Sequence, residues 1–442
     1  MNKIDLTKGN VLKVLTTLAL PIIGSSVLQF TYNLVDMLWV GGLGSNAVAS
    51  IGSSSFFIGL GYSINSLVVS GTGIKVSHAV GKKNDDEVKS YINSGLILNT
   101  LIGIIYALAL IFMGKSFIGF LNINNPIVEK DGYLYLLVSA PMMFFSFFNI
   151  LYIRIFNSFG NNKGTLKISA IGVIMNIILD PIFIYIFKLG VTGAAVATLI
   201  SNLAMFIMFH LKSKGMFKIT IKNGIDYEKI KEIGKLGFPM SFQRILFTMV
   251  NITLARIITK FGSDAIAAQK IGLQIESIVY MMVGGLSGAM ASFVGQNFGA
   301  KKYKRINDGY NTAIAIGIIY AAITTIIFIF TPEILVKIFI REENTIVIAS
   351  NYLRIIGFSQ IFSTIEMISN GVFTGFGVPK IPATISILFT LIRIPLALIL
   401  TNYLGVSGIW WSISISSMCK GVVAYLIYKF KIWREYENVI CS

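Results

Sequence analysis

Pro21, Gly44 and Gly81 recur as Pro239, Gly262 and Gly299, each 218 positions further along the chain. Around these anchors LALP at 18–21 answers LGFP at 236–239, and GSNAVA at 44–49 answers GSDAIA at 262–267. Asn33 falls on Asn251 and Asn93 on Asn311. With small shifts, SFGNNK at 158–163 answers GFGVPK at 375–380, and LGVTG at 189–193 answers LGVSG at 404–408. A unit of half the chain has been duplicated. So long a period is not that of a solenoid; it marks two copies of a domain. In an apolar chain it points to the two-halved architecture of transporters, with a substrate path between the halves.

The chain is apolar enough. Its 442 residues would allow two or three soluble domains, but 55% are hydrophobic, 13% are charged, and the mean hydropathy is +0.75. Apolar runs of roughly 20 residues, enough to cross about 30 Å of hydrocarbon, recur from end to end. Twelve spans are expected, at about 14–40, 46–78, 92–114, 132–158, 166–187, 193–211, 236–260, 265–297, 309–331, 348–375, 382–402 and 407–429. Lys3 and Lys8 give the first run the look of a signal peptide. It is too long, lacks a small-residue cleavage pattern and reappears near 236, so a retained helix is expected.

The net charge of +17 is topological. Lys75, Lys82, Lys83 and Lys89 surround one turn; Lys212, Lys214, Lys218, Lys222, Lys229, Lys231 and Lys235 crowd the mid-chain connector; Lys301, Lys302, Lys304 and Arg305 surround a third loop. Basic residues gather in cytoplasmic loops, which places both termini inside and makes nucleic acid an unneeded partner. Residues 1–211 then form a first lobe, 212–235 a basic cytoplasmic linker and 236–442 a second lobe with a tail. The DYEKIKEIGK stretch of the linker suits an amphipathic helix on the membrane surface. Six spans per half is an even number, so the repeats run parallel.

Enzymatic chemistry finds no foothold. Cys419 and Cys441 imply no disulfide framework, and His78 and His210 lack metal-ligand spacing. Gly114-Lys115-Ser116 resembles the end of a phosphate-binding loop, but Ala109 occupies the place of its first glycine. No Ser/His/Asp arrangement is present. No enzyme and no cofactor are expected, and an ion gradient is the expected source of energy.

Ionisable groups inside spans are costly and mark function. Asp36 lies near the outer end of the first span, and Asp180 about two turns below the outer end of the fifth. Thr198 lies about 7 Å deep in the sixth, and Tyr135 at a similar depth in the fourth. Tyr32 and Asp36 share a helix face at i,i+4, as do Asn176 and Asp180. Two carboxylates, an amide oxygen and a hydroxyl at one level suit a small cation; the two acids could instead share a proton, or the group could be a hydrogen-bonded cluster joining helices. The cluster exists only in the first copy, because Asp36 aligns with Leu254, Asn176 with Arg393, Asp180 with Ala397 and Thr198 with Ile413. The second copy has Arg244, Glu276, Glu366 and Arg393, with an internal ion pair or a role in substrate selection open to Arg393. Pro21 and Pro239 each remove a helical hydrogen bond and favour a bend.

LALPIIGSSVLQFTYNLVDMLWVGGLGSNAVA at 18–49, ASFVGQNFGAKK at 291–302 and the six-plus-six repeat together resemble the multidrug and toxic compound extrusion (MATE) family, nearest its DinF-like branch. The resemblance implies an all-α membrane protein whose twelve helices form a V-shaped, two-lobed transporter. It implies a cation site at Asp36, Asn176, Asp180 and Thr198, a drug cavity with Gln29, Tyr32 and Tyr135, the two tyrosines lining or adjoining the cation site as well, and helix bending at Pro21. It further implies a monomer in the plasma membrane that exports cationic amphipathic drugs in exchange for Na+ or H+. Four oxygen-bearing side chains favour Na+ as the expected ion. The C-lobe cation site of the other bacterial branch is not expected, because 236–260 contains no Asp or Glu. The alternatives are a lipid-linked oligosaccharide flippase, which usually has more spans and a strongly cationic cavity, and a receptor or scaffold, for which no loop here is large enough.

Overall fold

Long apolar runs, interrupted by Gly, Pro and Asn and containing few adjacent polar residues, can satisfy their backbone in a bilayer only as helices. The computed structural model describes residues 5–121, 123, 125–213, 215–217, 219 and 226–435, and shows helices and no strand among them. Lys3, Lys214, Lys218, Lys222 and Cys441 lie outside the described residues. The first half contains α1 (Val11–Gly41), α2 (Ser45–Gly81), α3 (Asp85–Phe120), α4 (Pro126–Ser158), α5 (Asn162–Pro181) and α6 (Gly190–Lys212). The second contains α7 (Tyr227–Ile258), α8 (Ser263–Gly299), α9 (Tyr303–Phe330), the short α10 (Pro332–Lys337), α11 (Glu343–Gly357), α12 (Gln360–Phe376), α13 (Lys380–Leu404) and α14 (Ser407–Ile427).

Local signals set the boundaries. Asn84 accepts a hydrogen bond from the Glu87 N–H at 3.0 Å, and Asn125 caps α4 through Ile127 and Val128. The repeat anchors Gly44 and Gly262 precede α2 and α8 with φ of 98° and 92°, a region that favours glycine.

Among the described residues nine helices are long and apolar enough to cross a membrane, and ten if α11 and α12, bent by 57°, count as one span. The bend divides the span expected at 348–375. The other two expected spans are helical as well. α7 is diluted by Arg244, Arg256 and its charged first turns, and α14 by its serines and Lys420.

The compact units do not follow the boundaries expected at 211 and 236. Among the described residues, one comprises Asp5 and Gly24–Ser241; the other comprises Leu6–Ile23 and 242–435. The beginnings of α1 and α7 are therefore exchanged. Leu6, Leu15, Leu18 and Ala19 are buried in a core with Val283, Leu286, Met290 and Phe293 of α8. Gln296 accepts the Leu6 N–H at 3.1 Å, and Arg305 donates to the carbonyls of Leu6, Gly9 and Lys8 at 3.2, 2.7 and 2.8 Å. In the other unit Ile233 of α7 is buried among Val68, Val76, Ile92 and Leu151. Glu232 pairs with Lys75 at 2.8 Å and accepts from Tyr91, and Ser241 donates to the Ser63 carbonyl at 2.7 Å. The DYEKIKEIGK stretch, expected on the membrane surface, thus begins α7, which runs unbroken through Pro239. Its apolar side finds a better partner in α2 and α3 than in lipid.

Candidate functional site

The first unit gathers its polar residues through a break in regular structure. Pro181 ends α5; lacking an N–H, it cannot continue the α-helical ladder. The next five residues, Ile182–Ile186, wind as a π-helix, with the Phe187 N–H reaching the Ile182 carbonyl at 2.9 Å. Single π turns inside helices often sit at functional sites. This one directs Tyr185 towards α1, where its hydroxyl donates to the Trp39 carbonyl at 2.5 Å and its ring meets Trp39 edge-on at 6.2 Å. Trp39 lies one turn beyond Asp36. On the other side Gly193 of α6 packs directly on the backbone of Phe183 and Ile184, leaving no room for a Cβ.

α1, α4, α5 and α6 thereby bring together six of the side chains expected at a site. Asp180 is fully buried, Asn176 is 3% exposed and Tyr135 8% exposed, whereas Asp36, Tyr32 and Thr198 are half-buried. With the Asn176 amide turned to suit its neighbours, its NH2 donates to Asp180 at 3.2 Å and its oxygen accepts from the Thr198 N–H at 3.1 Å. The Thr198 hydroxyl donates to the Ala194 carbonyl at 2.9 Å, so its lone pairs face outward; the Tyr32 hydroxyl is 3.5 Å away. Asp36 and Asp180 lie within electrostatic range of each other and of the Tyr32 and Tyr135 hydroxyls. Two carboxylates removed from water and close together repel each other unless a cation or proton offsets one of them.

Gln29 stands apart from this group; it is exposed and donates to Asn33 at 3.3 Å. Pro21 is buried inside α1, near the point where that helix passes from one unit to the other. Three supporting residues escaped sequence reasoning. Tyr185 was hidden because its direction depends on the π turn. Asn149 and Asn202 carried a signal, as amides within apolar spans: Asn149 donates to the Asn202 carbonyl at 2.9 Å, and Asn202 donates to the Thr198 carbonyl at 3.0 Å. They brace α6 against α4. Among the described residues no three His, Cys, Asp or Glu side chains converge as a metal site; the cluster offers two carboxylates, an amide and a hydroxyl.

A sequence model of the MatE family matches residues 21–182 and again 239–399. The chain belongs to the MatE family. Both copies of the repeat carry the match, as the duplication requires. Family relatives are named as multidrug transporters. The probable multidrug resistance protein YpnP of Bacillus subtilis is 25% identical over 99% of both chains. The probable multidrug resistance protein NorM of Thermotoga maritima is 25% identical over 96% of this MatE-family chain and 93% of its own. The multidrug export protein MepA of Staphylococcus aureus is 25% identical, with 95% and 94% covered. Among solved structures, a MATE protein in complex with MaL6 superposes with a TM-score of 0.92 at 22% identity, covering 99% of this chain and 100% of that one. An outward-facing multidrug resistance MATE transporter superposes at 0.91 and 21% identity over 99% of both. These likenesses establish the twelve-helix fold. This MatE-family protein is thus a multi-pass membrane protein of a multidrug efflux family.

Proposed function

We propose that this protein is a secondary antiporter that exports cationic amphipathic compounds across the plasma membrane in exchange for Na+ held by Asp36, Asn176, Asp180 and Thr198. The observation that carries the reading is the fully buried Asp180 within electrostatic range of a second acid, Asp36. Such a pair stores repulsion that a bound cation relieves and its departure restores, as a coupling site requires. Asn176 supports Na+ over a bare proton. Its amide oxygen accepts from the Thr198 N–H and keeps a second lone pair for a cation. The Thr198 hydroxyl, with its proton committed to Ala194, offers another oxygen. A cationic compound suits the exchange because it competes with the ion for the same negative field. The distribution of Lys and Arg supports cytoplasmic termini, and a monomer suffices because one chain carries the whole cluster.

The test is efflux of a cationic dye from proteoliposomes, first with an imposed Na+ gradient at fixed pH, then with a pH gradient in Na+-free buffer. Efflux in the first arm is expected. Efflux driven only by the pH gradient would refute the Na+ assignment and leave the two acids as a proton site.

A further inference from the structure

The displacement of 217 that carries SFGNNK onto GFGVPK also carries Tyr135 onto Tyr352, Ser146 onto Ser363 and Asn176 onto Arg393; the displacement of 218 carries Tyr62 onto Tyr280. The structure builds the same tyrosine frame twice. In the first unit Tyr62 meets Ser146 at 3.1 Å, and Tyr135 is buried beside the two acids. In the second unit Tyr280 meets Ser363 and donates to Glu276 at 2.9 Å, while Tyr352 donates to the other Glu276 oxygen.

The charges inside the two frames differ. Leu254 and Ala397, in the places of Asp36 and Asp180, are buried apolar residues. The acid is supplied instead by Glu276 of α8, 5% exposed, where the first copy has Ile58. Arg393 of α13, 6% exposed, stands in the place of Asn176. Its Nε donates to Ser416 at 2.6 Å and an Nη to Ser417 at 3.1 Å. Glu366 and Glu276 are both in its electrostatic range, but among the described residues no ion pair within 4.0 Å joins it to either, so the ion pair weighed for Arg393 is absent. Serines and tyrosines hold the opposite charges apart. Gln360 of α12 lies against Glu276. Lys420 of α14 donates to Thr390 at 2.9 Å and is balanced by Glu366 of α12.

We infer that Arg393 is the built-in cation of the second half, standing where an exchangeable cation stands in the first. A buried carboxylate stays ionised only with a positive charge nearby; without one it takes up a proton. Glu276 receives one on a tether, which cannot leave, so the second copy of the site does not cycle and each chain carries one exchangeable ion site. The count of one rests on the function proposed above; the compensation of Glu276 by Arg393 does not.

The experiment separates the two. Asp36→Asn disables the first site. On that background Arg393→Asn installs the first half's own residue in the second. The probe is the melting temperature of purified protein in detergent, against Na+ at fixed pH and against pH in Na+-free buffer, with and without Glu276→Gln. Asp36→Asn alone is expected to show no Na+ response. The double variant is expected to gain stabilisation by Na+ or by acid of about 3 °C or more, abolished again by Glu276→Gln. A double variant no more responsive than its Glu276→Gln counterpart overturns the inference. A wild type insensitive to both ions, beside a responsive double variant, would sink only the first-half reading. Glu276→Gln alone covers the case in which Arg393→Asn does not fold. Its half-saturating ion concentration for efflux is expected to stay within about twofold of wild type; loss of ion-driven efflux by folded protein would make Glu276 an exchanging acid and overturn the inference.

Discussion

Gly193→Ala probes the site without touching any group that would hold an ion. A Cβ on residue 193 would lie 2.7 Å from the Phe183 carbonyl carbon and oxygen and 2.9 Å from the Ile184 nitrogen. Ordinary contact begins at 3.4 Å, so α6 and the π turn must separate by 3.4 − 2.7, about 0.7 Å. Neither side has a flexible side chain to yield, because the clash is with backbone. The Asn176–Thr198 hydrogen bond, now 3.1 Å, would open to about 3.8 Å and cease to be one. Overpacking of this kind costs about 1–3 kcal/mol of stability. Losing the bond that orients Asn176 is worth about 0.5–1.5 kcal/mol, a roughly twofold to tenfold loss of ion affinity. The assay is the initial rate of dye efflux from proteoliposomes against ion concentration. The half-saturating concentration is expected to rise by that factor, with the rate largely restored at saturating ion. Gly52→Ala, where an added Cβ meets nothing within 4 Å, is the control. A folded Gly193→Ala protein with wild-type half-saturation would refute the claim that α6 packing positions the site.

Asp36→Asn and Asp180→Asn preserve shape and hydrogen bonding; each is expected to leave melting within a few degrees of wild type while reducing ion-driven efflux by at least about tenfold, measured at equal reconstitution. Pro181→Ala returns an N–H to the helix and favours a regular α5; Tyr185 would then turn by about 100° away from the Trp39 carbonyl, and reduced ion affinity in the same efflux assay is the expected result. Arg305→Ala removes three hydrogen bonds to the carbonyls of residues 6, 8 and 9; amide exchange at residues 6–16 should accelerate by about tenfold or more, with exchange in α4 unchanged.

Much of this architecture was legible because membrane helices are written in contiguous sequence. The repeat anchors, the apolar runs and the i,i+4 pairing of Tyr32 with Asp36 and of Asn176 with Asp180 are local facts, and the structure places those four residues together. The exchange of helix beginnings was not legible. Leu15 and Ile233 look like any other apolar residues in a span, and only tertiary packing shows that each lies with the other copy's helices. The bend between α11 and α12 and the π turn were missed for a related reason, since hydropathy averages over about 19 residues and passes smoothly across both. Glu276 and Arg393 stood out by charge, but their tyrosine and serine partners lie on other helices, beyond the reach of any spacing rule.

The exchanged helix beginnings also constrain how the chain is made. The amide of Leu6 finds its acceptor 290 residues later, on Gln296. At about 5–20 residues per second, the ribosome delivers that partner roughly 15–60 s after the first turn of α1 emerges. During that interval Leu15 and Leu18 have only lipid or an insertion chaperone to cover them. A gene cut in the connector would yield two fragments, each carrying a helix that completes the other's core, so neither is expected to reach its native packing alone and both should recover when synthesised in the same cell.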